Sequence, residues 1–165
     1  VTENTGDARN ATVTIAYEGA KSKTVTVSQD AAAGVEAKPV TVTMTSFSAV
    51  SASMDSVISY TTAKGGGTSN PAINGGEIRL YQGNPGGNIT ITAKAGHTIT
   101  SVVIGSSMKT SVAYQVDGGS RSSSASLSAG GKYTINKEGQ SITIHCMGSD
   151  KNSRLYVNYL SVTYK

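Results

Sequence analysis

The sequence predicts an all-β protein: an antiparallel β-sandwich preceded by a separate β-hairpin. Three observations lead there. Nearly every periodic stretch has period two, the repeat of a strand that buries one face. Ser, Thr and Gly dominate the polar residues, with nineteen Gly against three Pro. Ser and Thr suit the wet face of strands, and Gly suits the turns between them. No stretch keeps a helical period beyond a turn, and the one candidate, Ser48 to Ser56, is diluted by Ser and Val.

The elements follow in order. Thr12-Val13-Thr14-Ile15-Ala16-Tyr17 alternates, as does Lys23-Thr24-Val25-Thr26-Val27-Ser28. Glu18-Gly19-Ala20-Lys21 between them is a Gly-containing turn, so residues 1–32 hold a hairpin. Asp30 to Pro39 reads as a linker, with 33–39 dividing the hairpin from a sandwich domain at 40–165. Its three alanines are too few to nucleate a helix. Strands are then expected at 40–44, 57–62, 77–81, 88–93, 99–104, 111–116, 132–135, 141–147 and 155–164. Lys64 to Gly76 is expected to be a long loop of Gly, Ser, Asn and Pro, a length that is usually functional or mobile.

The apolar phase of these strands defines a core: Val42, Ile78, Leu80, Ile89, Ile91, Ile99, Val102, Ile104, Ile142, Ile144, Leu160 and Val162. Three apolar residues in a row at Val102–Ile104 call for burial on both faces or a bulge near Thr100. Cys146 shares the phase of Ile142 and Ile144 and is read as a small core residue. A single cysteine excludes an intrachain disulfide.

Composition narrows function by exclusion. The net charge of +4 comes from scattered cations, not from a stripe with a reading element, so no nucleic-acid partner is expected. No apolar run is long enough for a membrane-spanning helix. Val1 is not an initiator, so the chain is expected to be a mature or trimmed piece.

Catalytic chemistry is not expected. His97 and His145 lie outside any nucleophile or metalloprotease motif and are read as solvent-facing. The acids are scattered singly, with no pair spaced for glycoside hydrolysis. Zinc spacing is absent, and no metal or other cofactor is expected. Asp150-Lys151-Asn152-Ser153 and Asn74-Gly75-Gly76-Glu77 could lend oxygens to calcium but read as polar turns.

Two resemblances sharpen the picture. Glu3-Asn4-Thr5-Gly6-Asp7-Ala8-Arg9-Asn10-Ala11-Thr12-Val13-Thr14-Ile15 and Thr24-Val25-Thr26-Val27-Ser28-Gln29-Asp30 resemble the C-terminal half of a BACON domain. That Ig-like module is common in exported Bacteroidetes proteins. From Val40 onward the chain resembles a jelly-roll-type module at the C-terminus of exported Bacteroidetes proteins. The carrying residues are Gly76-Glu77-Ile78-Arg79-Leu80-Tyr81, Ile89-Thr90-Ile91-Thr92-Ala93, Ile99 to Ile104, and Arg154 to Tyr164. The fold expected is therefore a jelly-roll-like sandwich preceded by an Ig-like hairpin fragment.

Function follows as an expectation: a non-catalytic binding or adhesion module of an exported protein. Its place would be the cell surface, outer-membrane-anchored as a lipoprotein, or the periplasm or exterior. The expected ligand is carbohydrate, and the alternative is a spacer or protein-interaction domain with no glycan. Sugar recognition needs a flat aromatic face with amides and charged groups for the hydroxyls. The chain has no Trp and eight Tyr, so the candidates are Tyr60, Tyr81 and Tyr114 with Asn70, Asn74, Glu77 and Arg79. The hairpin has Val13, Ile15, Val25 and Val27 on one face, which two strands alone cannot keep dry. It must dock in cis, pair with another copy or stay free, and self-association between copies is the favoured expectation.

Overall fold

The computed structural model describes residues 7–29 and 37–165. Most of the linker expected at 33–39 lies outside them. The chain divides into two compact units, Val1–Ala37 and Lys38–Lys165.

The first unit is a two-stranded antiparallel hairpin of β1 (Arg9–Ile15) and β2 (Lys23–Gln29). Val13 faces Val25 and Ala11 faces Val27. Gly19 turns the chain at φ 80°, a conformation that favours glycine. Val13, Ile15, Val25 and Val27 are all exposed, Ile15 to 61%.

The second unit holds β3 (Val40–Met44), β4 (Ser51–Ser53), β5 (Ile58–Ala63), β6 (Ala72–Asn74), β7 (Glu77–Leu80) and β8 (Asn88–Ala93). β9 (Ile99–Ser106), β10 (Thr110–Val116), β11 (Ala125–Leu127), β12 (Lys132–Ile135), β13 (Ser141–Cys146) and β14 (Leu155–Tyr164) complete it. No described residue is helical, and Ser48–Ser56 instead contains β4. Accordingly, no described helix is long and apolar enough to cross a membrane.

Two six-stranded antiparallel sheets form a sandwich. One runs β11-β10-β13-β8-β5-β4, and the other β12-β9-β14-β7-β6 with β3 also on β14. β14 is long enough to pair β7 through Leu155–Val157 and β3 through Leu160–Tyr164, while β9 takes its opposite edge. The pairing is nested: β3 with β14, β8 with β13, β9 with β12, β10 with β11. A long hairpin folded over into two sheets gives that order, which is the jelly-roll topology. β4 to β7 are additions between its first two strands, and they extend both sheets.

The inner faces supply the core. Ile78, Leu80, Ile89, Ile91, Ile99, Val102, Ile104, Ile142, Ile144, Cys146, Leu160 and Val162 are fully buried, as the alternation predicts. Each such aliphatic side chain contributes roughly 1.5–3 kcal/mol when withdrawn from water. Val42 packs on the core but is only partly buried.

Two bulges keep the phase. Thr163 pairs Ser101 and Tyr164 pairs Ile99, so Thr100 is the extra residue. Ile99 and Val102 can then both point inward, and Val103 points out half-buried. On β14 the register slips between Val157 and Tyr159. That slip puts Leu155, Val157, Leu160 and Val162 in the core despite their odd spacing.

The loop expected at 64–76 is shorter than its composition suggests. Ala72–Asn74 pairs with Glu77–Leu80, and Gly75 and Gly76 make the hairpin turn at φ 60° and 77°. Both central residues at positive φ form the tight connection that suits strand twist.

Candidate functional site

On β7, Ile78 and Leu80 are core residues, so alternation turns Glu77 and Arg79 outward, and Tyr81 continues that phase. On β14, Leu155 and Val157 are core residues, which turns Arg154 and Tyr156 outward. The register sets Leu80 opposite Leu155 and Arg79 opposite Tyr156. The pairing of short β7 with the end of long β14 thus brings Arg and Tyr together on the outer face of the pair.

The contacts follow from that register. The Arg79 guanidinium carbon lies 4.7 Å from the Tyr156 ring centroid. Arg154 sits 4.8 Å from the Tyr81 ring centroid, and its Nε donates to Gln82 Oε1 at 2.7 Å. Glu77 Oε2 accepts a 3.0 Å hydrogen bond from Ser107 Oγ. A third pair on β12 and β14 places Lys132 Nζ 3.4 Å from the Tyr159 centroid. Gly105 makes room for Tyr159, since a Cβ there would meet the tyrosine Cβ at 2.9 Å.

The loop that follows Tyr81 is held firmly. Gly83 N–H donates to Gly148 O at 2.8 Å, and Gly86 N–H donates to Cys146 O at 2.7 Å. The Lys64–Gly67 segment packs backbone to backbone against it: a Cβ at Gly65 would meet Gly86 O at 2.6 Å, and one at Gly83 would meet Gly66 O at 2.6 Å. Glycine is required where two backbones approach that closely. Tyr81 and Gln82 are therefore presented from a rigid support, not from a free loop.

The sequence candidates divide. Glu77, Arg79 and Tyr81 fall in one strip. Asn74 is exposed at the hairpin turn opposite Glu77, and Asn70 is exposed in the preceding loop. Tyr60 and Tyr114 do not join them. Tyr60 is 1% exposed, its ring edge-on to Phe47 and its hydroxyl donating to Ala49 O at 2.8 Å. Burial raises its pKa. Tyr114 pairs with Ile144 and packs against the core. Both share the inward phase of their strands; Tyr60 is buried and Tyr114 half-buried. Arg154, Tyr156 and Gln82 were not among the candidates. Their signal was the outward phase of Arg154-Leu155-Tyr156-Val157, meaningful only once β14 is paired with β7.

The histidines also need one correction. His145 faces away from the core, as alternation requires, yet it is 8% exposed. Its Nε2 lies 2.6 Å from Gln115 Oε1, and Gln115 Nε2 donates to Gly119 O at 2.7 Å. That chain of bonds ties the segment after β10 beside the ring. Burial, with the nearby charge of Arg121, lowers the His145 pKa. His97 packs edge-on to Tyr164 at 5.8 Å.

A polar cleft of about 230 Å³ lies across the loop that follows β13. Lys109, Ser111, Ser126, Asp150, Asn152 and Ser153 line it. Asp150 Oδ1 accepts from Asn152 N–H at 2.7 Å, closing a local turn. Among the described residues, no three His, Cys, Asp or Glu side chains are grouped to hold a metal ion.

No family model, no curated protein and no solved structure matches this chain.

Proposed function

We propose that the chain is a non-catalytic binding module of an exported cell-surface protein, and that carbohydrate binds on the β7–β14 strip. One observation carries the reading. Two tyrosines, Tyr81 and Tyr156, sit on a rigid sheet face among Glu77, Arg79, Gln82 and Arg154. Tyrosine supplies an apolar face for a sugar ring, and the surrounding charged and amide groups supply partners for its hydroxyls. The BACON-like pattern of residues 1–32 and the Ser-, Thr- and Gly-rich composition support an exported setting. The jelly-roll fold alone would not support it, since folds host many functions.

The competing reading is a spacer or protein-interaction domain. Each strip tyrosine already has an arginine against it, which favours a role in covering the sheet. A glycan array separates the two. Binding to a defined glycan that is lost in Tyr81→Ala and Tyr156→Ala supports the carbohydrate reading. An array with no hit supports the spacer.

A further inference from the structure

The geometry points to an acidic glycan, one whose sugars carry carboxylates, as the ligand of the β7–β14 strip. This inference rests on the carbohydrate reading of the same site. Lys165 and Glu138 form an ion pair at 3.2 Å, at the end of the sandwich away from Tyr81. Among the described residues, no carboxylate lies within ion-pair distance of Arg79 or Arg154. Glu77, two residues from Arg79, is bonded to Ser107 instead.

Arg79 goes further. Its Nε is buried with no hydrogen-bond partner, and its guanidinium is held over Tyr156. An arginine so placed has given up water at one edge without gaining an acceptor. The terminal N–H groups of a guanidinium held against a ring lie at its edge, where they match a carboxylate two bonds at a time. Arg154 is held in the same way, over Tyr81 and by Gln82. The register makes Arg79 and Arg154 diagonal cross-strand neighbours, with Cα atoms roughly 7–8 Å apart. Two oriented cations on one strip, each beside a tyrosine, suit an oligosaccharide with repeated carboxylates more than a neutral one.

The test is calorimetric titration of the whole chain with oligogalacturonate and with a size-matched dextran oligosaccharide. Oligogalacturonate is expected to bind more tightly, and binding should weaken at high salt. Arg79→Gln and Arg154→Gln should each lose affinity about ten-fold or more. Arg79→Lys should lose part of it, because the charge remains but the fork is gone. Lys94→Gln, at the far end of the sandwich, should bind as the parent does. Thermal melting checks that each variant is folded; Arg154→Gln carries the test if Arg79→Gln is not.

Dextran binding as tightly as oligogalacturonate would overturn the acidic ligand while leaving a carbohydrate site. Failure of both sugars, with a neutral hit on the glycan array, does the same. Equal loss in Lys94→Gln, or equally tight binding of poly(dT), would also overturn it, since net charge alone would then explain the affinity.

Discussion

The Tyr164 hydroxyl donates a 2.9 Å hydrogen bond to Asp55 Oδ2. The bond ties the last strand of one sheet to the β4–β5 turn of the other. Asp55 Oδ1 meanwhile accepts from Val57 N–H at 2.8 Å and Ile58 N–H at 2.6 Å. One carboxylate thus closes a turn and bridges the sandwich.

That arrangement predicts acid sensitivity. Burial works to raise the Asp55 pKa, but the backbone bonds from Ile58 and Val57 and the Tyr164 hydroxyl outweigh it, so the pKa falls below 3.8. A lowered carboxyl pKa adds stability that is complete above the unfolded value and is lost as pH falls through the folded value. His145 acts in the same direction at higher pH. Its folded pKa lies below 6.5, so unfolding takes up a proton and stability drops as pH falls through that value. Melting temperature should therefore decline in two stages on acidification. His145→Gln should remove the stage that begins as pH falls below 6.5, and Asp55→Asn the stage at lower pH, below 3.8. At neutral pH Asp55→Ala should cost about 1–2 kcal/mol for its lost hydrogen bonds, kept low by partial solvent exposure.

Cys146 should be inert in the native protein. It is fully buried, with its sulfur 3.9 Å from Thr110 Oγ1 and 3.7 Å from Ser153 O. A bulky thiol reagent should label it only after denaturant is added. Rapid labelling under native conditions would contradict the placement.

The sandwich should fold on its own. A chain beginning at Lys38 should melt cooperatively, because the buried core runs from Phe47 to Tyr164. The exposed Val13, Ile15, Val25 and Val27 face bears on the expected self-association. Light scattering should find a dimer for the full chain and a monomer for the shorter one. Two monomers would rule out pairing through the hairpin, and two dimers would place the interface on the sandwich.

The strand phase was legible because period two and core burial are local properties. Ile142, Ile144 and Cys146 announce themselves, and the run Val102–Ile104 calls for either burial on both faces or a bulge, of which the structure has the bulge at Thr100. β4, β6 and β11 were not legible, since three-residue strands such as Ser51–Ser53 are fixed by their neighbours, not by their own pattern. The candidate site was half legible for the same reason. Glu77 and Arg79 share β7 and Tyr81 directly follows it, but Arg154 and Tyr156 join them only through the register of two strands more than seventy residues apart. Tyr60 and Tyr114 flank loops in the sequence, yet they share the strand phase of Ile58 and Val112, two residues before them, which point into the core.

The most direct test of the central claim is an amide NMR titration with whichever glycan the array identifies. The account predicts that shifts cluster on residues 77–82 and 154–158 and vanish in Tyr81→Ala. Shifts centred instead on Lys109, Ser111 and residues 149–153, or unchanged by Tyr81→Ala, would contradict it.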